Sequence, residues 1–172
     1  MDTQRMTART SALVAAFMLV IAPRAIFAQA ALPPASPDMS PQRHVFGLGA
    51  WAGSATGIGI SFRHHFPARF SYQITGGIIK VDEVSYSVGG ELQFDFARKP
   101  GSRLFAAGGV GYYFSGPPGE NKLEGPLRIG LGIGGEAALS AEFHGTLEVL
   151  FTYFSDGTIL PLPQIGFHYY FY

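Results

Sequence analysis

Three groups of residues in this chain have the types and spacing that chemistry uses. Gly130-Leu131-Gly132-Ile133-Gly134-Gly135 satisfies G-x-G-x-x-G at positions 130, 132 and 135. That pattern holds a dinucleotide pyrophosphate when it joins a strand to a helix. His64-His65 has the composition of a metal pair, and His144 and His168 could approach each other or Glu148. Neither G-x-S-x-G nor H-E-x-x-H occurs, so the sequence offers no nucleophile elbow and no zinc-protease helix.

What these groups can do depends on the elements that carry them, and those elements are strands. From about residue 56 onward, apolar and aromatic residues alternate with polar residues or glycine. Val84, Tyr86, Val88, Gly90, Leu92, Phe94 and Phe96 carry no charge; the intervening Glu83, Ser85, Ser87, Gly89, Glu91, Gln93 and Asp95 carry all of it. Strand side chains point to opposite faces with period two, so each stretch is a two-faced strand. Eight are predicted: 44–52, 56–65, 69–79, 83–96, 103–114, 126–137, 142–154 and 164–172. The first is open in phase, with Phe46, Leu48 and Ala50 against Val45, Gly47, Gly49 and Trp51. Prolines 67, 100, 126 and 163 fall at strand starts and turns, where a missing N–H does least harm. Turns at 66–68, 98–101 and 139–141 are tight, while 115–125 and 155–161 are longer.

In that setting the three groups lose most of their chemistry. The glycine motif lies inside a strand with no helix after it, so its glycines thin a crowded inner face. His64 and His65 point to opposite faces and cannot share an ion without a bulge. His144 and His168 read as members of a hydrogen-bonded lumen network. No metal and no cofactor is expected.

Composition agrees with a strand-built membrane protein. Charged residues make up 14% of the 172, against about 25% in ordinary soluble domains. Hydrophobic residues reach 47%, aromatics 14%, and there are 23 glycines and no cysteine. A formal charge of zero gives no basic surface for nucleic acid. Arg5 and Arg9 precede an apolar run from Ala12 to Ala22, and Ala28-Gln29-Ala30 is a small-x-small cleavage pattern. Residues 1–30 therefore read as a signal peptide, with the mature chain starting at Ala31. Removing Arg5, Arg9, Arg24 and Asp2 from the twelve basic and twelve acidic residues leaves nine and eleven, a net charge near −2. Residues 31–43 form a proline-rich linker, and 44–172 the barrel domain.

Period two alone does not say which face is inside. A soluble calyx would put the apolar face inward. Here the apolar face carries more large aromatics than eight strands can enclose, whereas lipid accepts them, with Tyr and Trp near the ends as interfacial girdles. The polar face has charges of both signs that could pair inside a lumen. The expected network is Arg63, Arg69, Glu91, Asp95, Arg103, Arg128, Glu136, Glu142, His144, Glu148 and His168.

Two resemblances follow. The segment Gly166-Phe167-His168-Tyr169-Tyr170-Phe171-Tyr172 resembles the terminal strand of bacterial outer-membrane barrels of the OmpA, OmpX and opacity-protein group. That likeness implies recognition by the barrel-assembly machinery, with Tyr172 in place of the more usual Phe. The stretch Glu148-Val-Leu-Phe151-Thr-Tyr153-Phe-Ser155-Asp156-Gly157 is similar to the active-site segment of PagL-type lipid A 3-O-deacylases, which are also eight-stranded outer-membrane barrels. The family's segment runs acidic, x, basic, Phe, x, His, x, Ser, Asn. Glu148, Phe151 and Ser155 match, Asp156 approximates the Asn, Tyr153 stands at the histidine position and Leu150 replaces the basic residue. The resemblance implies Ser155 as nucleophile, but a serine without a positioned base is a poor one.

The sequence thus predicts an all-β protein, an eight-stranded antiparallel up-and-down transmembrane β-barrel. It is expected to be a non-enzymatic, monomeric protein of the bacterial outer membrane, structural or surface-interacting, with an ion-paired, plugged lumen. Its expected partners are outer-membrane lipid or lipopolysaccharide and the assembly machinery. The alternatives are a degenerate PagL-like hydrolase and a soluble periplasmic calyx for an apolar ligand.

Overall fold

A computed structural model describes residues 43–80, 83–117 and 119–171; the expected signal peptide, cleavage site and nearly all of the linker lie outside these residues. The eight strands are β1 (Val45–Gly53), β2 (Gly57–His65), β3 (Phe70–Lys80), β4 (Val84–Lys99), β5 (Ser102–Gly116), β6 (Leu127–Ala138), β7 (Phe143–Phe154) and β8 (Ile159–Phe171). Each pairs antiparallel with the next, and β1 pairs with β8 to close the barrel. Closure leaves no unpaired edge around the middle of the wall. One rim carries the β2–β3, β4–β5 and β6–β7 turns together with the start of β1 and the end of β8, and is called the terminal rim below. The other, the loop rim, carries the remaining four connections.

The phase of β1, open in the sequence, is resolved by its partners. Val45, Trp51 and Gly53 are buried inside, while Phe46, Leu48, Ala50 and Ala52 face out. Trp51 is therefore no girdle residue: it is 2% exposed and lies in the lumen.

Several strands run further than expected. β8 starts at Ile159 rather than 164, so Pro161 and Pro163 lie within it. Tyr170 donates its N–H to the Glu142 carbonyl on the β7 side, so odd-numbered residues of β8 direct theirs toward β1. Pairing with β1 stops at Ala52 opposite Ile165, and both prolines lie beyond it. Their missing donors would have faced no strand. β4 continues to Lys99 through a bulge between Asp95 and Ala97, closing on β5 by the two-residue turn Pro100-Gly101, with Gly101 at φ 71°.

Candidate functional site: the barrel lumen

The polarity of the wall is that of a membrane barrel and opposite to a soluble calyx. Ile60, Leu92, Leu131 and Phe151 face outward, each more than 60% exposed, while Arg63, Gln73, Glu91, Asp95, Glu136 and Glu148 are buried within. The outer face is also zoned. Phe46, Phe70, Phe94, Phe143, Tyr169 and Phe171 ring the terminal rim, and Tyr86, Tyr112 and Tyr153 stand toward the loop rim. Between the two rings lie aliphatic residues such as Ile74, Leu131, Val149 and Ile165. Two aromatic girdles around an aliphatic band match the two interfaces and core of a bilayer. The calyx expectation fails because the interior is polar and filled.

The half of the lumen nearer the terminal rim is a charge network centred on Glu136 of β6. Its Oε2 pairs with Arg63 Nη1 and accepts from Arg103 Nη2 at 2.8 Å, Tyr170 OH at 3.1 Å and Thr146 Oγ1 at 3.3 Å. Its Oε1 lies 3.0 Å from His144 Nδ1. Arg63 also donates Nε to Gln73 Oε1 at 2.9 Å and Nη1 to Thr146 Oγ1 at 2.9 Å. Arg103 donates to Asp95 Oδ1 at 2.8 Å, Gln93 Oε1 at 2.6 Å and Ser71 Oγ at 3.2 Å, and its guanidinium lies over the Phe105 ring at 4.4 Å. Burying an ion costs several kcal/mol, and only close pairing with further hydrogen bonds offsets it. Here each guanidinium has partners from several strands, which meets that condition.

One member of this network was hidden in the sequence. By strict alternation from Leu92 and Phe94, Arg98 would face lipid. The bulge after Asp95 inserts one residue, shifts the phase and pairs Arg98 with Arg103 on the inner face. There Arg98 forms an ion pair with Asp95.

Two expected members lie elsewhere. Arg69 and Glu142 are exposed on the terminal rim, one residue before β3 and β7 begin. Strand alternation does not govern them, and it is their carbonyls that join the ladder, accepting from Asp95 N and Tyr170 N. Arg128 is half-buried but stands apart from the carboxylates. It donates to the carbonyls of Ser54 at 2.8 Å and Gly125 at 3.2 Å and lies over the Tyr113 ring at 3.9 Å. His144 and His168 face each other in register, yet His168 Nε2 contacts Ser61 Oγ at 2.9 Å. His64 lies on the outer face beside His44 and Phe46, while His65 points inward to the Tyr170 hydroxyl at 2.9 Å. Among the described residues no group of three or more His, Asp or Glu is placed to hold a metal.

The other half of the lumen is filled by backbone. The β1–β2 turn, Ser54-Ala55-Thr56, folds into the barrel, and Ala55 and Thr56 are fully buried. β2 leaves β3 beyond Ile60 opposite Gly76 and bends inward through Gly57 (φ 103°) and Gly59 (φ 138°), a conformation that favours glycine. Gln164 Oε1 accepts from Ala55 N at 3.1 Å, Thr56 N at 3.3 Å and Thr56 Oγ1 at 3.1 Å. Trp51 Nε1 donates to Thr56 Oγ1 at 3.0 Å, Gly57 N donates to Tyr113 OH at 2.8 Å, and that hydroxyl donates to the Gly53 carbonyl. The opposing wall is glycine because nothing larger fits. A Cβ at Gly89, Gly109, Gly111 or Gly130 would collide with Ala55 or Thr56. Those lumen glycines were visible in the sequence, and a cluster on the inner face of β4, β5 and β6 is the signal that something folds against them.

The G-x-G-x-x-G match dissolves in this geometry, since Gly130 and Gly132 face in, Gly135 faces out, and β6 runs on as strand. The PagL-like segment is likewise divided. Glu148 lies in the lumen, Phe151 and Tyr153 face outward, and Ser155 is exposed in the β7–β8 turn. Asp156 Oδ1 accepts from Thr158 N at 2.8 Å, a turn-closing bond. No histidine stands on the loop-rim half of β7 or on β6.

A closed eight-stranded antiparallel barrel, apolar and girdled outside and packed with polar groups inside, has the architecture of a small outer-membrane β-barrel. No protein-family model and no curated protein matches the chain. Among solved structures it is similar to the outer membrane protein Ail of Yersinia pestis in phospholipid bilayer nanodiscs, at 14% identity and a TM-score of 0.42 over 74% of this chain and 98% of that one. The crystal structure of Ail, the attachment invasion locus protein of Yersinia pestis, is similar at 11% identity and a TM-score of 0.38, over 74% and 95%. What the barrel does has to come from its own residues.

Proposed function

We propose that this protein is a non-enzymatic barrel of the bacterial outer membrane, exported by a signal peptide cleaved before Ala31, with a lumen closed to solutes and a structural or surface-interaction role. The observation that carries the reading is the double filling of the lumen, by the Glu136 network in one half and the Ser54–Thr56 turn in the other. An eight-stranded wall is only wide enough for its own side chains, and this one also encloses a turn. The aromatic end of β8 suits recognition by the barrel-assembly machinery, and the girdled exterior suits lipid or lipopolysaccharide around a monomer.

Conductance tests the reading. Purified protein refolded into planar bilayers is expected to give no discrete open steps; steady solute-permeable conductance would sink the closed-lumen role. Tyr153 stands on the outer face where the resemblance implies the base histidine, and Ser155 without a positioned base is a poor nucleophile, which favours no deacylase chemistry. Mass spectra of lipid A from cells with and without the protein are expected to be the same, and loss of a 3-O-acyl chain would establish the hydrolase instead.

A further inference from the structure

Between the two fillings lies a pair of carboxyls that neither accounts for. Glu91 of β4 and Glu148 of β7 are 3% and 1% exposed. Each has one oxygen tied to a glutamine: Gln93 Nε2 donates to Glu91 Oε1 at 2.5 Å, and Gln164 Nε2 donates to Glu148 Oε1 at 2.6 Å. The second oxygen of each, Oε2, is buried and receives no hydrogen bond. The two carboxyls lie within hydrogen-bonding reach of each other. Two bare acceptors side by side in a closed space need a donor or a cation between them, because unpaired buried charge of like sign is strongly unfavourable.

We propose that Glu91 and Glu148 together form a proton site, sharing one proton between their free oxygens. The surrounding groups supply nothing else. Arg63 on β2 is engaged by Glu136, Gln73 and Thr146. Arg103 on β5 is engaged by Asp95, Gln93 and Glu136. Asp95 on β4 pairs with Arg98 and Arg103, Glu136 on β6 is saturated, and His168 on β8 is turned to Ser61. Arg128 on β6 is engaged by the Ser54 and Gly125 carbonyls and the Tyr113 ring, and His144 on β7 by Glu136. A metal ion would want more oxygens than the pair offers, and no third acidic or histidine ligand stands with them among the described residues.

The site has a structural consequence. With its amide nitrogen on Glu148, Gln164 turns its oxygen to Ala55 and Thr56. A proton held between the two Oε2 atoms leaves Glu148 Oε1 free to accept from that amide, and it is this carboxyl that orients the glutamine holding the turn.

Infrared spectroscopy of the full chain, refolded in detergent at neutral pH and equilibrated in D2O, reads the proton directly. The exposed carboxyls are ionised there, so the expected spectrum holds a protonated-carboxyl C=O band from the pair. Glu91→Gln and Glu148→Gln are each expected to abolish it entirely, because a glutamine amide donates to the remaining carboxylate and no proton is then needed. Absence of the band in the unsubstituted protein would overturn the proposal without any variant having to fold. A band that survives one of the two substitutions would assign the proton to a single isolated glutamic acid and overturn the sharing. Thermal unfolding at constant ionic strength, with sodium exchanged for choline, is expected to be unchanged; a midpoint that follows sodium would assign the site to a metal cation. None of these outcomes depends on conductance, so the closed-lumen role and the proton site can fail separately.

Discussion

The two halves of the lumen are filled by different physics. Near the terminal rim, side chains from β2 to β8 meet in a charge network, and the guanidiniums of Arg63 and Arg103 are each held by partners on several strands. Toward the loop rim, three residues of backbone occupy the space, held by hydrogen bonds from uncharged groups and one from Arg128 to the Ser54 carbonyl, and by glycines that make room. The ionic half is expensive to disturb because a lost partner leaves a buried charge. The turn half is sensitive to volume, because its glycines have none to spare. A single polarity rule, lipid outside and polar inside, is thus met by two solutions in one barrel.

The largest expected effect is at the hub of the ionic half. Glu136→Ala leaves Arg63 and Arg103 facing each other without their shared carboxylate, and breaking a buried pair in this way costs about 3–5 kcal/mol. Denaturant unfolding of the refolded protein in detergent would show it as a large fall in midpoint. A loss of less than about 1 kcal/mol would mean that water enters this half freely and that the comparison between the halves is wrong.

The turn half is tested next by volume. Gly109→Val places a branched side chain where Thr56 and the Gly90 carbonyl already stand. Overpacking costs typically about 1–3 kcal/mol unless the turn moves out. Trp51 is the one tryptophan of the chain and is bonded to Thr56, so its fluorescence reports which occurs. Red-shifted emission and new access to a soluble quencher would mark expulsion of the turn, and discrete conductance steps should then appear. Unchanged emission with an unchanged unfolding midpoint would show that the glycines are not reserved for the turn.

How much of this could be read beforehand differs between the halves. Alternation puts Arg63, Arg103, Glu136 and His144 on the inner face, because they sit in regular strand where period two fixes the face. It failed where the period breaks. Arg98 needed a bulge that no single-sequence pattern announces, and Arg69 and Glu142 fell one residue outside their strands. Trp51 had to be read from a strand whose two faces are about equally apolar, so nothing in β1 itself fixed its direction; only register with β2 and β8 does. The inward turn was least legible of all. Ser54-Ala55-Thr56 has the composition of any exposed hairpin tip, and its burial depends on glycines contributed by β4, β5 and β6, more than 30 residues away.

A smaller effect sharpens the comparison from within the turn. Thr56 Oγ1 accepts from Trp51 Nε1 and donates to Gln164 Oε1. Thr56→Val keeps the volume and removes both bonds, leaving the indole N–H buried without an acceptor. Neutral hydrogen bonds contribute about 0.5–1.5 kcal/mol each, and an orphaned donor costs about 1–3 kcal/mol, so the expected loss is about 2 kcal/mol, below that of Glu136→Ala. A loss as large as the hub's would mean that the turn half is held as stiffly as the ionic half.

The smallest effect lies outside both halves and sets the scale for them. Lys122 and Glu83 form an ion pair between the β5–β6 loop and the residue preceding β4, with side chains about half exposed at 54% and 41%. Water screens such a pair, and exposed pairs contribute about 0–1 kcal/mol. A double-mutant cycle with Lys122→Ala and Glu83→Ala should give a coupling in that range that shrinks further in high salt. With the lumen closed to solutes as proposed, the same salt series run on Glu136→Ala should leave its penalty unchanged. If salt rescued Glu136→Ala as well, the network would be solvated and the barrel would have to be open at the terminal rim; equal salt sensitivity at the two sites is therefore the outcome that would separate a leaky barrel from a filled one.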